Sequence, residues 1–158
     1  MSESNVIHST FVIERTYPAT PERVFAAFSD PVKKRRWFAE GANHTVDEFE
    51  MDFRVGGIER AKSHFNEGSL FPGKALISDG VYHDIVPNRR IVMSSAMTFG
   101  DYRMSVSLLT VEFLPADSGA QIVFTHQGAF FEGSDGPQIR EAGWRKLFDR
   151  LTAELTRQ

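Results

Sequence analysis

The chain has 158 residues, of which 41% are hydrophobic and 25% are charged; its formal net charge is −3 and it has no cysteine. This composition predicts one folded domain with a real core, and it excludes a disordered or fibrous chain, a disulfide framework and a thiolate metal site. The weakly acidic charge gives no basic field to attract nucleic acid, and no apolar run approaches the ~18 residues that would cross a membrane.

The N-terminal residues 1–9 are predicted to be a flexible polar tail, followed by a single domain over residues 10–158. No basic region followed by an apolar stretch marks a signal peptide, so a cytoplasmic location is expected. The first strand is predicted over Phe11–Tyr17, because alternation places Phe11, Ile13 and Tyr17 on one face.

Two short helices are predicted next. Thr20 is the predicted N-cap of the first helix, ahead of a proline at the first helical position. Asp30 is the predicted N-cap of the second helix, which also begins with a proline. The second helix is expected to end at Trp37 and Phe38. The basic run at residues 33–36 is predicted to be the solvated face of that helix.

The chain from His44 to Gln127 has short strands separated by turn signals, which favours an antiparallel meander. Gly56-Gly57 is predicted to form a two-residue hairpin loop, and Asp79-Gly80 is predicted to be a turn. For residues 64–74 the sequence allows two conformations, a loop or part of a strand with an excursion. The clearest strands are Val81–Val86, Ile91–Met97, Tyr102–Leu114 and Ala120–Gln127.

A long helix is predicted from about Pro137 to Thr156. Its apolar stripe recurs every fourth residue and is widened by Trp144 and Phe148. The stripe consists of Ile139, Gly143, Leu147, Leu151 and Leu155. At ~1.5 Å per residue this helix is long enough to cross a sheet.

Local motifs spread over nearly the whole chain resemble one family. They are Ile13-Glu14-Arg15, Pro21-Glu22-Arg23-Val24-Phe25, Trp37, Asp52–Gly57, Asp84–Ile91, Thr125–Gly128 and Gly143-Trp144 followed by Leu147 and Leu151. Their order resembles the START-like (SRPBCC) superfamily, in the subfamily of activators of the heat-shock protein 90 ATPase. The resemblance implies an α+β helix-grip (START/Bet v-like) fold: a curved antiparallel sheet around a long C-terminal helix, with two short helices after the first strand. A cavity between sheet and helix and a role in stress response are further implications of it.

Fourteen Phe, two Trp and three Tyr make the chain 12% aromatic. This excess favours a cavity lined by aromatic rings, although rings that simply fill the core are the alternative. No nucleophile, phosphate-loop, dinucleotide or zinc-helix motif is present, and the five histidines are scattered. Neither a metal nor a cofactor is therefore expected.

Two polar residues on predicted apolar faces are candidates for the cavity. His126 shares a face with Ile122 and Phe124; its ring is expected to be satisfied by the backbone beside a turn at Gly128, or alternatively to orient a polar ligand group. Arg140 is expected to extend to solvent, or alternatively to lean over the cavity mouth and pair with a ligand anion.

The candidate ligand-binding set combines aromatic rings with these two residues: Trp37, Phe53, Tyr82, Tyr102, Met104, Phe124, His126, Phe131, Arg140 and Trp144. Tyr102 and Met104 were included because simple alternation places them on one face with Val106 and Leu108. Phe131, beside Phe130 in a glycine-flanked loop, is predicted to be a mobile lid or a hydrophobic plug.

Three functions follow from the sequence. The first is binding or carriage of a small hydrophobic molecule, without nucleic acid or membrane as partner. The second is polyketide-cyclase-like catalysis by His126, Arg140 or a tyrosine hydroxyl. The third is a co-chaperone module with a weak protein partner, and a homodimer is left open.

Overall fold

The computed structural model describes residues 5–157. Seven strands and three α-helices follow one another along the chain. The strands are β1 (Ile7–Tyr17), β2 (His44–Met51), β3 (Ile58–Phe65), β4 (Ala75–Val86), β5 (Arg90–Phe99), β6 (Tyr102–Ala116) and β7 (Gly119–Phe130). The helices are α1 (Pro21–Ser29), α2 (Pro31–Lys34), which continues into a π-helical turn (Arg35–Ala39), and α3 (Pro137–Leu155).

All seven strands form one antiparallel sheet in the order β1-β7-β6-β5-β4-β3-β2. The sheet is curved, and α3 lies against its inner face, so the architecture is the predicted helix grip. Each chain neighbour from β2 to β7 is also a sheet neighbour, and β1 closes the far edge against β7. The meander predicted from the turn signals is therefore confirmed.

The first strand begins earlier than predicted. Ile7, His8 and Ser9 already pair with β7, in the register Ile7↔Phe130, so they are strand rather than tail. Residues 1–4 of the predicted tail lie outside the described residues. The predicted inner face of this strand is confirmed, since Phe11, Ile13 and Tyr17 are all buried.

The helix starts follow the predicted caps. Thr20 Oγ1 accepts from the Arg23 N–H at 3.2 Å, and Asp30 Oδ1 accepts from the Val32 N–H at 2.9 Å. The prediction that the basic run is solvated was wrong at one position, because Lys34 is buried. Its ammonium group pairs with Glu59 of β3 at 3.0 Å, which ties the short helices to the sheet.

Two predicted turns differ from the structure. Asp79-Gly80 lies inside β4, where a Cβ on Gly80 would stand 2.5 Å from Met93 Cε, so this glycine allows a close side-chain approach rather than a turn. The hairpin at Gly56-Gly57 is longer than predicted, because β2 already ends at Met51. In the 64–74 stretch, β3 continues through residue 65 and a loop then returns to β4.

A β-bulge in β6 overturns the predicted alternation of that strand. Thr98 pairs with Arg103 and Met97 pairs with Ser105, so Met104 between them has no partner on β5. The extra residue shifts the faces of the following strand by one position. The predicted apolar row beyond Met104 therefore faces outward, with Val106 43% and Leu108 38% exposed, and the inner face carries Ser105, Ser107 and Leu109.

The buried face of α3 is rotated from the predicted stripe at its N-terminal end. Ile139 is 65% exposed, whereas Arg140 is only 7% exposed. Farther along, Phe148, Leu151 and Leu155 are buried as predicted. The start of the helix therefore presents an arginine to the sheet instead of an aliphatic side chain.

Candidate functional site

A cavity of about 350 Å³ lies between the inner face of the sheet and α3. Beneath it runs one cross-strand row of small residues, of which Ser95 and Ser107 line the cavity: Gly80 pairs with Ser95, Ser95 with Ser107, and Ser107 with Gly128. None of these four has a side chain longer than a hydroxymethyl group. Because directly opposed residues lie side by side on one face, the row leaves a trough that α3 does not fill.

Larger side chains enclose the trough. Met93, Leu109 and His126 form the neighbouring cross-strand row, and Trp144 and Leu147 of α3 cover the space from above. The complete lining is Lys34, Phe38, Glu59, Ser78, Met93, Ser95, Met97, Ser107, Leu109, His126, Asp135, Ile139, Arg140, Gly143, Trp144 and Leu147. Apolar side chains from the helix thus face a floor that contains hydroxyl groups.

A buried charged cluster forms one part of the wall. Lys34 Nζ lies 3.0 Å from Glu59 Oε1, and the Tyr82 hydroxyl donates to the same carboxylate oxygen at 2.5 Å. Burial, and secondarily the Glu59 charge, raises the pKa of Tyr82, so the phenol keeps its proton. The Lys34 ammonium group also lies over the ring of Phe38, 4.7 Å from its centroid. A fixed ion pair with a hydrogen-bonding phenol therefore borders an otherwise apolar region.

A second ion pair lies at the start of α3. Arg140 donates through Nε and Nη2 to the two carboxylate oxygens of Asp135, at 2.8 and 2.9 Å. Its guanidinium carbon stands 5.1 Å above the centre of the Phe130 ring. The expectation that Arg140 extends to solvent was wrong, because this two-point pairing and the ring hold the side chain inside. Phe130 is buried beneath it.

His126 lies in the cavity wall between aromatic rings. It stacks on Phe11 with 4.5 Å between ring centroids and lies 5.9 Å from Phe130. Its Nδ1 has no hydrogen-bond partner among residues 5–157, and Gly128 is strand rather than turn. Burial and then the nearby Arg140 charge lower the pKa of His126 to about 4, which leaves the imidazole neutral at pH 7.

The cavity brings together only part of the predicted ligand-binding set. His126, Arg140 and Trp144 line it. Tyr82 and Phe124 line a small void of about 20 Å³ that shares Trp144 and Lys34 with the main cavity. These five predicted residues, four with rings and one with a charge, therefore lie in one region of the molecule.

The other five predicted residues do not line the cavity. Trp37 is buried in the core and donates to a backbone carbonyl, and Phe53 is a partly buried edge of the same core. Tyr102 and Met104 lie at the start of β6 beside the bulge, and Phe131 lies in the loop ahead of α3; none of the three lines the cavity. Their predicted role in ligand binding is not supported by this geometry.

Several lining residues escaped the sequence analysis. Lys34 and Glu59 are far apart in the chain, and no local pattern links them. Ser107 was missed because the alternation in β6 was counted without the bulge. Asp135 precedes Arg140 by five residues, and the sequence analysis did not link the two.

Other kinds of site find no support in the part of the chain that the structure describes. Within residues 5–157, no group of three or more His, Asp or Glu side chains could hold a metal ion. Over the same residues, no helix is both long and apolar enough to cross a bilayer.

Comparison with known proteins places this arrangement in a family context. A family model described as Activator of Hsp90 ATPase homolog 1-like protein matches residues 18–156. No curated protein matches the sequence.

Several solved structures share the fold over nearly the whole chain. The Mll3558 protein from Rhizobium loti is 47% identical, with 96% of this chain and 99% of that chain covered and a TM-score of 0.82. A putative uncharacterized protein from Rhizobium leguminosarum is 37% identical, with 97% of each chain covered and a TM-score of 0.89. An AHSA1-like protein from Aeromonas hydrophila, at 20% identity with 93% and 92% covered, has a TM-score of 0.68 and shows the likeness of fold alone.

Proposed function

Because the chain belongs to the family of Activator of Hsp90 ATPase homolog 1-like proteins, we propose that its cavity binds and carries a small hydrophobic ligand. The observation that carries this proposal is the cavity of about 350 Å³, roofed by Trp144 and Leu147 of α3 and with Ser95 and Ser107 of the sheet in its floor. A cavity of this size between a sheet and a helix suits a ligand of a few rings or a short chain.

The energetics are consistent with reversible binding. A bicyclic aromatic molecule that buries roughly 300 Å² of apolar surface gains about 7 kcal/mol from burial, at ~25 cal/mol per Å². The loss of translational and rotational freedom offsets part of this gain. The gross gain is itself smaller than the ~8.2 kcal/mol of a 1 μM complex, so dissociation constants well above 1 μM are expected, which fits a carrier that must also release its ligand.

Binding is better supported than catalysis. Arg140 already commits Nε and Nη2 to Asp135, and His126 has a hydrophobic environment rather than a carboxylate that would strengthen it as a base. A cyclase-like reaction needs two groups that act on one substrate atom. Of the predicted groups, Arg140 is engaged in an ion pair with Asp135, and the Tyr82 hydroxyl donates to Glu59.

Gly143 offers a direct test of where ligands bind. It lines the cavity from α3, and a Cβ at this position would meet no atom within 4 Å. A phenylalanine can therefore enter the mouth of the cavity without a backbone clash. We expect Gly143→Phe to weaken binding of 2-methylnaphthalene, measured by native mass spectrometry and thermal shift, by tenfold or more.

Gly143→Ala is the matched control. It replaces the same helical glycine and is expected to stabilise the protein by up to about 1 kcal/mol, without filling the cavity. Its affinity for 2-methylnaphthalene should remain within twofold of the original. Equal affinity in the Phe and Ala variants would contradict binding in this cavity, and no binding by the unmodified protein would contradict the proposed function for this probe class.

A chaperone-linked function is the second candidate, and the family membership favours it. It predicts that the protein alters the ATPase rate of its cognate heat-shock protein 90. An unchanged rate, together with no complex in a pull-down, would exclude it. A cytoplasmic location and a homodimer stay predictions from the sequence.

A further inference from the structure

Two polar atoms in the cavity wall have no hydrogen-bond partner within the part of the chain that the structure describes. Ser107 is 5% exposed and His126 is 1% exposed, and both line the cavity. Neither Ser107 Oγ nor His126 Nδ1 has a hydrogen-bond partner among residues 5–157. Leaving a buried polar group unpaired is costly, so such groups in a binding cavity indicate a partner supplied from outside the chain.

The two side chains converge on one point of the floor. A Cβ on Gly128 would lie 3.1 Å from Ser107 Oγ and 2.9 Å from His126 Cε1. Ser107 pairs directly with Gly128 across β6 and β7, and His126 is two residues earlier on the same face of β7. The glycine therefore lets a hydroxyl and an imidazole share one part of the trough.

The charges in the lining are matched within the protein. Each cation has a carboxylate at hydrogen-bonding distance: Lys34 has Glu59 at 3.0 Å, and Arg140 has Asp135 at 2.8 Å. The buried imidazole adds no charge at pH 7. An anionic ligand would thus find no unpaired cation in the lining, and it would lose its hydration on entry.

We propose that Ser107 and His126 form a hydrogen-bonding subsite for an uncharged oxygen group, a hydroxyl or a carbonyl, on the ligand. The proposal rests on the proposed function and narrows it: the cargo is a neutral amphipathic molecule rather than a plain hydrocarbon. Its apolar body lies beneath Trp144 and Leu147, and its oxygen group meets the serine hydroxyl and the neutral imidazole, each of which can donate or accept.

Three probes of similar shape test this subsite: 2-naphthol, 2-methylnaphthalene and 2-naphthoate. The first carries a neutral hydroxyl, the second a methyl group, and the third a charged carboxylate. The unmodified protein should bind 2-naphthol at least as tightly as 2-methylnaphthalene, although the hydroxyl must leave water on entry. It should bind 2-naphthoate more weakly than 2-naphthol.

Substitutions assign the effect to the subsite. Ser107→Ala and His126→Phe should each weaken 2-naphthol binding about fivefold and leave 2-methylnaphthalene binding within twofold, as measured by calorimetry or native mass spectrometry. Ser105→Ala is the matched control, since Ser105 lies two residues away, is fully buried and unpartnered within residues 5–157, and does not line the cavity. It should leave the ratio of the two affinities unchanged.

The outcomes separate the two proposals. If both neutral probes bind and their affinity ratio is the same in the Ser107, His126 and Ser105 variants, the subsite is wrong and the proposed function stands. Tighter binding of 2-naphthoate than of 2-naphthol also overturns the neutral subsite. If no probe binds, the proposed function fails for this cavity and the subsite fails with it.

Discussion

At the scale of single residues, His126 shows how position decides protonation. Its ring is enclosed by Phe11, Phe124 and Phe130, and the nearest charges are those of Arg140 and Asp135. Removal from water disfavours the charged imidazolium, and the cation of Arg140 adds to that effect. Asp135 opposes it only weakly, so the pKa of His126 falls to about 4.

This lowered pKa predicts a pH dependence of stability. The unfolded chain binds a proton at this histidine near pH 6.5, whereas the folded protein binds it only near pH 4. Between these values the unfolded state holds more protons, so stability falls as the pH falls from about 6.5 to about 4. The loss due to His126 should amount to roughly 3 kcal/mol, measured by urea unfolding at several pH values.

The variant His126→Phe isolates this contribution from the other titrating groups. It keeps a flat ring between the same neighbours but has no proton to bind. Its free energy of unfolding should vary less steeply over the same pH window. Identical slopes for the two proteins would mean that His126 is protonated equally in the folded and unfolded states.

The position of His126 could be predicted from the sequence, but its neighbours could not. Alternation with Ile122 and Phe124 correctly placed His126 on the inner face. Its neighbours Phe11 and Arg140 come from opposite ends of the chain, so neither the stacking nor the charge effect was available locally. The same distance in sequence hid the pairing of Lys34 with Glu59.

At the scale of elements, the buried ion pair between Lys34 and Glu59 joins α2 to β3. Both side chains are almost completely removed from water, at 6% and 3% exposed. The Tyr82 hydroxyl on β4 completes the cluster. Removing one partner of such a pair leaves a charge buried without compensation, and this is far more costly than removing both.

We therefore expect Lys34→Met to lower the free energy of unfolding by about 3–5 kcal/mol. The double variant Lys34→Met with Glu59→Gln should be more stable than Lys34→Met alone, because the neutral amide still accepts from Tyr82. Chemical denaturation of the three proteins measures the difference.

Lys33→Met supplies the control within the same short helix. Lys33 is only partly buried, so its replacement should change stability by no more than about 0.5 kcal/mol. Equal losses of unfolding free energy in Lys33→Met and Lys34→Met would contradict the expected contribution of the buried Lys34–Glu59 pair to stability.

Helix starts were easier to predict than strand interiors. Thr20, Asp30 and the prolines after them fixed the helix starts, because capping depends on neighbouring residues. The bulge at Met104 was not predictable, since it depends on how β6 pairs with β5. Gly80 was mistaken for a turn residue for the same reason: the need for a glycine comes from Met93 on another strand.

At the scale of the whole molecule, the two tryptophans occupy different environments. Trp37 is 1% exposed in the core, and its indole N–H donates to the Ala27 carbonyl at 2.8 Å. Trp144 lines the cavity from α3. A ligand in the cavity therefore touches one indole and not the other.

This difference predicts a fluorescence signal that is specific to Trp144. Bound 1-bromonaphthalene should quench the emission of Trp144 by contact with its heavy atom and leave that of Trp37 nearly unchanged. The quenching should persist in Trp37→Phe and be lost in Trp144→Phe, as measured by titration with tryptophan excitation. Loss of quenching in Trp37→Phe instead would place the ligand outside the described cavity.

The sequence by itself determined most of the elements and their order, because periodicity, caps and turns are local properties of the chain; the helix-grip architecture was what the resemblance to a family implied. It also indicated that His126 and Trp144 belong to the inner side.

Only the tertiary structure decided the existence and lining of the cavity. A trough forms because Gly80, Ser95, Ser107 and Gly128 come into one register across four strands. No window of the sequence contains that row, since its members are brought together only by strand pairing. The physical reason is general: a cavity consists of what opposing elements leave unfilled, and that depends on their packing.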